Sequence, residues 1–390
     1  MVPATSALLG LLALKLIDKE RRSHITDFSF DEALGLFAGL NVLPKTTFAT
    51  DYSYRTVREN QQRLLAGWIS RLLPQLDPEP DAFSLDFHSS PHRGEDSVLE
   101  NHYVPMRGKA VPSILIFFAQ AVKSRLLCYS DSTIVRERAA GQLLEFVKFC
   151  RSILGADPAW LYFDSRFTTY AEMSRLNARG KTAFITIRRR GSRILHGLAA
   201  QPDSAWRRTV IDNPKRRHQN VRYLEQAIRV PDYRGELRQI AATGLGRDKP
   251  TLFLTNNFDE TARRIITRYT QRNGIEDSLG SSVNFFHLDC LASEVPLNAD
   301  LDAALTVVAN GCYRWLANEL HGFTEAKPKK LCRKIIETGG TVSVTEEHIH
   351  IHFHKRAHNP ILRQAALDTK AGPIPWVGGK TLRFTYAGTD

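Results

Sequence analysis

The chain is poor in sulfur, with five cysteines and three methionines in 390 residues. Cys128, Cys150, Cys290, Cys312 and Cys332 are odd in number, widely spread and form no C-x-x-C pair. That argues against a disulfide framework and a cysteine zinc site, and suits a reducing cytoplasm. Long apolar runs are missing too. The leucine-rich start, residues 1–17, is broken by Lys15 and followed by Lys19-Glu20-Arg21-Arg22. It falls short of the ~20 apolar residues a membrane span needs and has no basic leader before its apolar part. It reads as a buried helix. Acidic charge is in deficit: 41 Asp and Glu against 53 Lys and Arg, a net +12 with pI near 9.5. Such an excess favours a polyanionic partner, nucleic acid ahead of an acidic membrane, although it also serves plain solubility.

What remains is a globular composition, 43% hydrophobic with mean hydropathy −0.28, and enough chain for about two or three domains. Residues 1–80 read as a helical region, with Leu64, Leu65, Trp68, Ile69 and Leu72 on one side of its strongest helix. Pro74, Pro78 and Pro80 end it. Strand-like runs then follow at 83–87, 113–118 and 126–129. A helix capped at Asp131, Ser132 or Thr133 comes next, and then a strand closing at Asp164. Thr169 and Glu172 form a capping box, Gly180 stops that helix, and 183–187 is a further strand. Residues 189–255 read as a β-rich insertion dense in basic residues. Asn257 with Glu260 is expected to cap a helix presenting Tyr269, Arg272 and Glu276 on one face. One strand is expected over 341–353, and the tail, 371–390, is expected to be loosely ordered.

Asp86 sits inside the apolar run Phe83-Ser84-Leu85-Asp86-Phe87, and Asp164 closes Trp160-Leu161-Tyr162-Phe163-Asp164. A carboxylate in such a place is costly to bury alone. Each acid by itself is more simply a surface cap or an ion-pair partner. Three that converge would suit hard divalent cations, which prefer oxygen ligands. The order of three strands, helix, strand, helix, strand, with acids on the first strand and at the end of the fourth, matches an α/β fold. That fold has a ribonuclease-H-like (retroviral-integrase-like) core, here spanning 81–370 around the insertion.

With these residues the chain resembles the DDE transposases of bacterial insertion sequences, in the branch whose core carries a β-rich insertion. The resemblance covers about residues 28–365. Its most specific element is Tyr269-x-x-Arg272-x-x-x-Glu276, supported by Leu85-Asp86-Phe87-His88 and Tyr162-Phe163-Asp164-Ser165. It implies that Asp86, Asp164 and Glu276 hold two Mg2+ or Mn2+ ions for DNA cleavage and strand transfer. It implies that Tyr269 and Arg272 contact the DNA backbone, and that a homodimer acts on paired terminal inverted repeats and target DNA in the nucleoid. No membrane role follows. The family's signature lysine is replaced by Val283, so a catalytically decayed DNA-binding copy is the alternative reading.

Further basic groups surround the insertion: Arg188-Arg189-Arg190, Trp206 with its neighbouring arginines, and Lys215-Arg216-Arg217-His218. Arg188, Arg189, Arg190, Trp206, Arg216 and Arg217 are expected DNA contacts, with a base stacking on the ring, or else a solvated charged face. A third basic cluster spans 327–334. His348, His350, His352 and His354 alternate with apolar residues on one strand. Imidazoles ~7 Å apart along a strand are too far separated for a compact metal site without other ligands. They are better read as a solvated, DNA-facing strand.

Overall fold

A computed structural model describes residues 2–20, 22–91, 99–104, 107–212, 219–290 and 296–388. It is mixed α/β and organised around one large mixed sheet. Strands β1 (Ala82–Pro91), β2 (Glu100–Val104), β3 (Lys109–Ala121) and β4 (Leu127–Ile134) are antiparallel where they pair, with β3 pairing all three others. Strands β5 (Trp160–Tyr162) and β6 (Ala183–Ile187) then add in parallel on the far side of β1. The core path is β4-β3-β1-β5-β6.

Helices cover both faces because β1 alternates. Phe83, Leu85 and Phe87 point one way, and Phe83 meets Phe146 of α6 (Gln142–Leu154) edge-on at 5.4 Å. Phe87 stacks on Phe167, just ahead of α7 (Tyr170–Ala178), whose Met173 and Leu176 belong to the same core. The other face of β1 carries Ser84, Asp86, His88 and Ser90. Helices α9 (Ala262–Thr270) and α10 (Asn273–Asn284) lie on that polar side. The insertion does not form a separate body. Strands β7 (Arg207–Val210), β8 (Asn220–Ile228), β9 (Leu237–Thr243) and β10 (Thr251–Thr255) continue the main sheet from β6, after helix α8 (Ser192–Ala199).

The N-terminal helices α1 (Ala4–Leu16), α2 (Glu32–Phe37), α3 (Thr46–Arg55) and α4 (Arg58–Leu76) pack with the long helix α11 (Pro296–Glu319) in a second core. Lys15 is buried there, donating to the Phe286 carbonyl at 2.6 Å and to Asp302 at 2.7 Å. Among the described residues no helix is long and apolar enough to cross a membrane. Unpaired backbone on β4 is capped by side chains. Asn310 accepts from the Leu127 amide, Asp300 accepts from the Ser132 amide, and Gln62 donates to the Ser130 carbonyl. This protects an edge that would otherwise be open to pairing.

Several elements differ from expectation. The helix expected to start at residues 131–133 begins later, because Asp131 and Ser132 are held in β4 by Arg58 and Asp300. The segment 341–353 is a hairpin, β11 (Gly340–Val344) and β12 (His348–Phe353). The tail is ordered through Gly388: α13 (Asn359–Ala365) and α14 (Leu367–Lys370) lead to β13 (Thr381–Tyr386), which pairs in parallel with β12. Gly39 explains part of that order. Its φ of +70° and the Trp376 carbonyl 2.5 Å from where a Cβ would stand admit only glycine, and Trp376 donates to the Phe37 carbonyl.

Candidate active site

Asp86 and Asp164 are carried by neighbouring parallel strands. Ala82 pairs with Trp160 and Ser84 with Tyr162, the last pair of the two strands. Asp86 stands two residues farther along β1 and Asp164 two residues past the end of β5, near enough for its charge to act on Asp86. Glu276 arrives from the helical side. The stretch expected as one helix is two, α9 and α10, joined at Gln271 and Arg272. Thr261 caps α9, its hydroxyl accepting from the Arg264 amide, while Asn257 accepts from the Glu260 amide in the turn before it. The junction turns Arg272 inward to 9% side-chain exposure, where it donates to Asp86 at 2.8 Å and to Glu276 at 2.8 Å. One guanidinium thus bridges two of the three acids. Asp164 is not in that bridge; its Oδ1 accepts from the Arg166 amide at 2.7 Å.

The electrostatics follow from this crowding. Burial raises the Asp86 pKa to about 6, Arg272 opposes the rise, and Asp164 and Glu276 add to it. Tyr269 sits between these groups and the sheet. Its hydroxyl lies 3.5 Å from the Phe163 carbonyl, its ring meets Phe253 edge-on, and burial pushes its phenol up to about 12. It braces the backbone that carries Asp164. Arg272 is likewise an internal residue here, and Glu276 is the exposed member at 58%.

A cavity of about 450 Å³ opens beside Asp164, lined in part by Thr168, Thr186, Arg188, Arg189 and Asp232. Arg188 is half-buried and donates to Gln239 at 2.6 Å, whereas Arg189 and Arg190 are exposed. Trp206 precedes β7 with the Arg222 guanidinium 5.4 Å from its ring centre, so one of its faces is already taken. Arg216 and Arg217 lie outside the described residues. A larger cavity of about 1140 Å³, between the N-terminal helices and α11, shares no residue with this site.

Sequence reading missed one pair. His88, on the same face of β1 as Asp86, lies 2.6 Å from Asp289, which follows α10. The signal was available: Ser84, Asp86, His88 and Ser90 are polar at alternate positions of a strand whose other face is apolar.

Carboxylate oxygens are the donors that Mg2+ or Mn2+ takes. Three acids against one guanidinium leave an excess of negative charge that a divalent ion would offset. As arranged, Arg272 stands where a cation would be shared, and among the described residues no three His, Cys, Asp or Glu side chains are gathered tightly enough to ligate one ion. Carboxylate donors suit a divalent metal, and two of the three acids are engaged by Arg272 here.

No family model and no curated protein matches the sequence. Among solved structures the chain is similar to the piggyBac transposase in its synaptic complex with hairpin DNA. The likeness has 11% identity and a TM-score of 0.41, and it covers 86% of this chain and 72% of that one.

Proposed function

We propose that the chain is a DDE-type transposase with a ribonuclease-H-like core, cutting and joining DNA at the ends of a mobile element. The observation that carries this reading is that Asp86, on β1, stands close enough to Asp164, two residues past the end of its parallel neighbour β5, for their charges to interact, with Arg272 tying Glu276 to Asp86. The strand path β4-β3-β1-β5-β6, antiparallel over the first three and parallel over the last, supports the core assignment. Asp86, Asp164 and Glu276 would hold the divalent ions. When bound, such ions stabilise the attacking and leaving oxygens of an in-line displacement at phosphorus.

The chain's own residues do the positioning. Arg272 offsets the charge of Asp86 and Glu276. Tyr269 fixes the strand end that bears Asp164. Arg189, exposed at the cavity rim, and the exposed Arg190 next to it in the chain hold phosphates of the DNA strand. Paired element ends imply two protomers.

The test is nicking of supercoiled plasmid by the purified chain in Mg2+ or Mn2+, with Asp164→Asn as control. Asn keeps the size and removes the charge, so cleavage should fall by at least ~10³-fold while DNA binding persists. A wild-type chain that binds DNA yet never cuts it in either metal would instead be a non-catalytic binder. Equal cleavage by wild type and Asp164→Asn would overturn the site.

A further inference from the structure

The small sheet β11-β12-β13 has one face made entirely of hydrogen-bonding side chains. His348, His350 and His352 alternate along its central strand. Register sets Ser343 and Arg383 on either side of His350, and Thr341 and Thr385 on either side of His352. Thr381 stands beside His348. Side chains directly opposite in a sheet share a face, so all of these project together. None is a carboxylate. The reverse face is apolar, with Ile349 buried and Phe353 stacked on Tyr386 at 5.2 Å, while Val342 and Val344 on the β11 edge are exposed. The sheet packs by that face at its centre and offers the polar face.

Two of the imidazoles are held by cross-strand hydroxyls. His348 Nδ1 lies 2.7 Å from Thr381 Oγ1, and His352 Nδ1 lies 2.9 Å from Thr385 Oγ1. A threonine that donates to Nδ1 fixes the ring proton on Nε2, which then serves as a donor. Arg383 is exposed and adds a full positive charge. Glu347, at the strand end, lies 3.9 Å from His348 Nε2 and is 85% exposed, and Asp368 accepts from the Phe384 amide at 3.1 Å at the β13 edge. A face of donors with a fixed cation complements a ligand rich in acceptors and negative charge. Donor rows repeat every ~6.8 Å along a strand, of the order of the phosphate spacing in an extended nucleic-acid strand.

We infer that this face is a second DNA-contacting surface, binding the phosphate backbone through Arg383, His350 and His352 without reading bases. The inference rests on the proposed DNA-processing function and adds a surface to it remote in sequence from the acidic residues.

The experiment uses the full chain, a random-sequence duplex and fluorescence anisotropy over a salt series, in EDTA. The variants are Arg383→Gln and His350→Gln/His352→Gln/Arg383→Gln, at two exposed positions and the half-buried His350, with thermal melting to check folding. Loss of the Arg383 charge should flatten the slope of log K against log salt by about 0.9, loss of the two imidazole donors should weaken binding with little further change in slope, and the triple variant should bind about tenfold more weakly at low salt. Unchanged slope and affinity, with wild type binding DNA, would overturn this surface while leaving the proposed enzyme intact. Failure of wild type to bind any DNA would overturn both. Binding that depends on His350 and His352 only when Zn2+ or Ni2+ replaces EDTA would assign the imidazoles to metal and refute the phosphate contact.

Discussion

The Arg272 guanidinium lies 2.8 Å from the Asp86 carboxylate, although 186 residues separate them in the chain. This contact joins the α9–α10 junction to the central strand and makes Arg272 the counter-charge of a buried acid. Arg272→Gln should therefore destabilise the fold by about 2–4 kcal/mol at pH 8, since breaking a buried pair leaves a charge uncompensated. The loss should shrink at pH 5, where Asp86, whose pKa of about 6 would rise further without Arg272, takes up a proton. Urea denaturation at the two pH values measures it. An equal loss at both would mean that Arg272 acts through packing and not through charge.

Asp300 supplies a cleaner pH effect, away from the candidate site. It is fully buried, and burial, with Asp131 adding to it, raises its pKa to about 6. An aspartate in the unfolded chain titrates near ~3.9. Between about pH 4 and 6 the folded state thus binds more protons than the unfolded one, and stability falls as pH rises through that window. Asp300→Asn keeps an oxygen to accept from the Ser132 amide and hydroxyl and removes the charge. It should gain about 1–3 kcal/mol at pH 7 and flatten the profile between pH 4 and 6. Thermal melting across that range would show it. A variant less stable than wild type at pH 7 would contradict the assignment.

Much of the site was legible because the cost of burying charge is legible. Asp86 and Asp164 stand out as acids in or beside apolar strands, and the order of elements alone places those strands side by side, as β1 and β5 are. The inward turn of Arg272 was not legible. A helical face pattern through Tyr269, Arg272 and Glu276 gives no hint of the break at Gln271, which depends on Asp86 waiting across the sheet. The His88–Asp289 contact needed only the period-2 polarity of β1 to be suspected on the strand side, but nothing local marks Asp289. The order of residues 381–386 was also written in alternation, Leu382, Phe384 and Tyr386 facing one way. A lone strand after a stretch rich in Gly and Pro offers no local partner, and its partner β12 lies before two helices.

The seam between the two cores depends on a missing side chain. A Cβ on Gly311 of α11 would stand 2.7 Å from Trp68 Nε1 and 2.8 Å from Leu72 Cδ2, both on α4. Both side chains must shift, and although Leu72 is buried and Trp68 packs against both cores, both also line the cavity of about 1140 Å³ and have room on that side, so the cost should sit at the low end for overpacking. Gly311→Ala improves helix propensity by about 1 kcal/mol, yet overpacking costs typically ~1–3 kcal/mol. Net destabilisation below about 1 kcal/mol is expected, and the double variant Gly311→Ala/Leu72→Ala should lose less than the sum of its parts. Additive losses in chemical denaturation would mean that α4 and α11 are not in contact at this point.

Val283, on α10 and half-buried against the main core, stands where the resemblance to DDE transposases would place a lysine. Lysine there can lay its methylene stem along the apolar surface and carry its ammonium to solvent, so the cost in stability should stay below about 1.5 kcal/mol. If the position faces DNA when DNA is bound, Val283→Lys adds one phosphate contact. The salt slope of binding should then steepen by about 0.9. Metal-dependent nicking should rise with it, because a phosphate held on α10 is held near Glu276. Anisotropy over a salt series and plasmid nicking read the two effects separately. A steeper slope without faster nicking would leave the lysine a binding residue only. Neither change, in a variant that melts like wild type, would show that Val283 lies off the DNA path and that the valine is no defect.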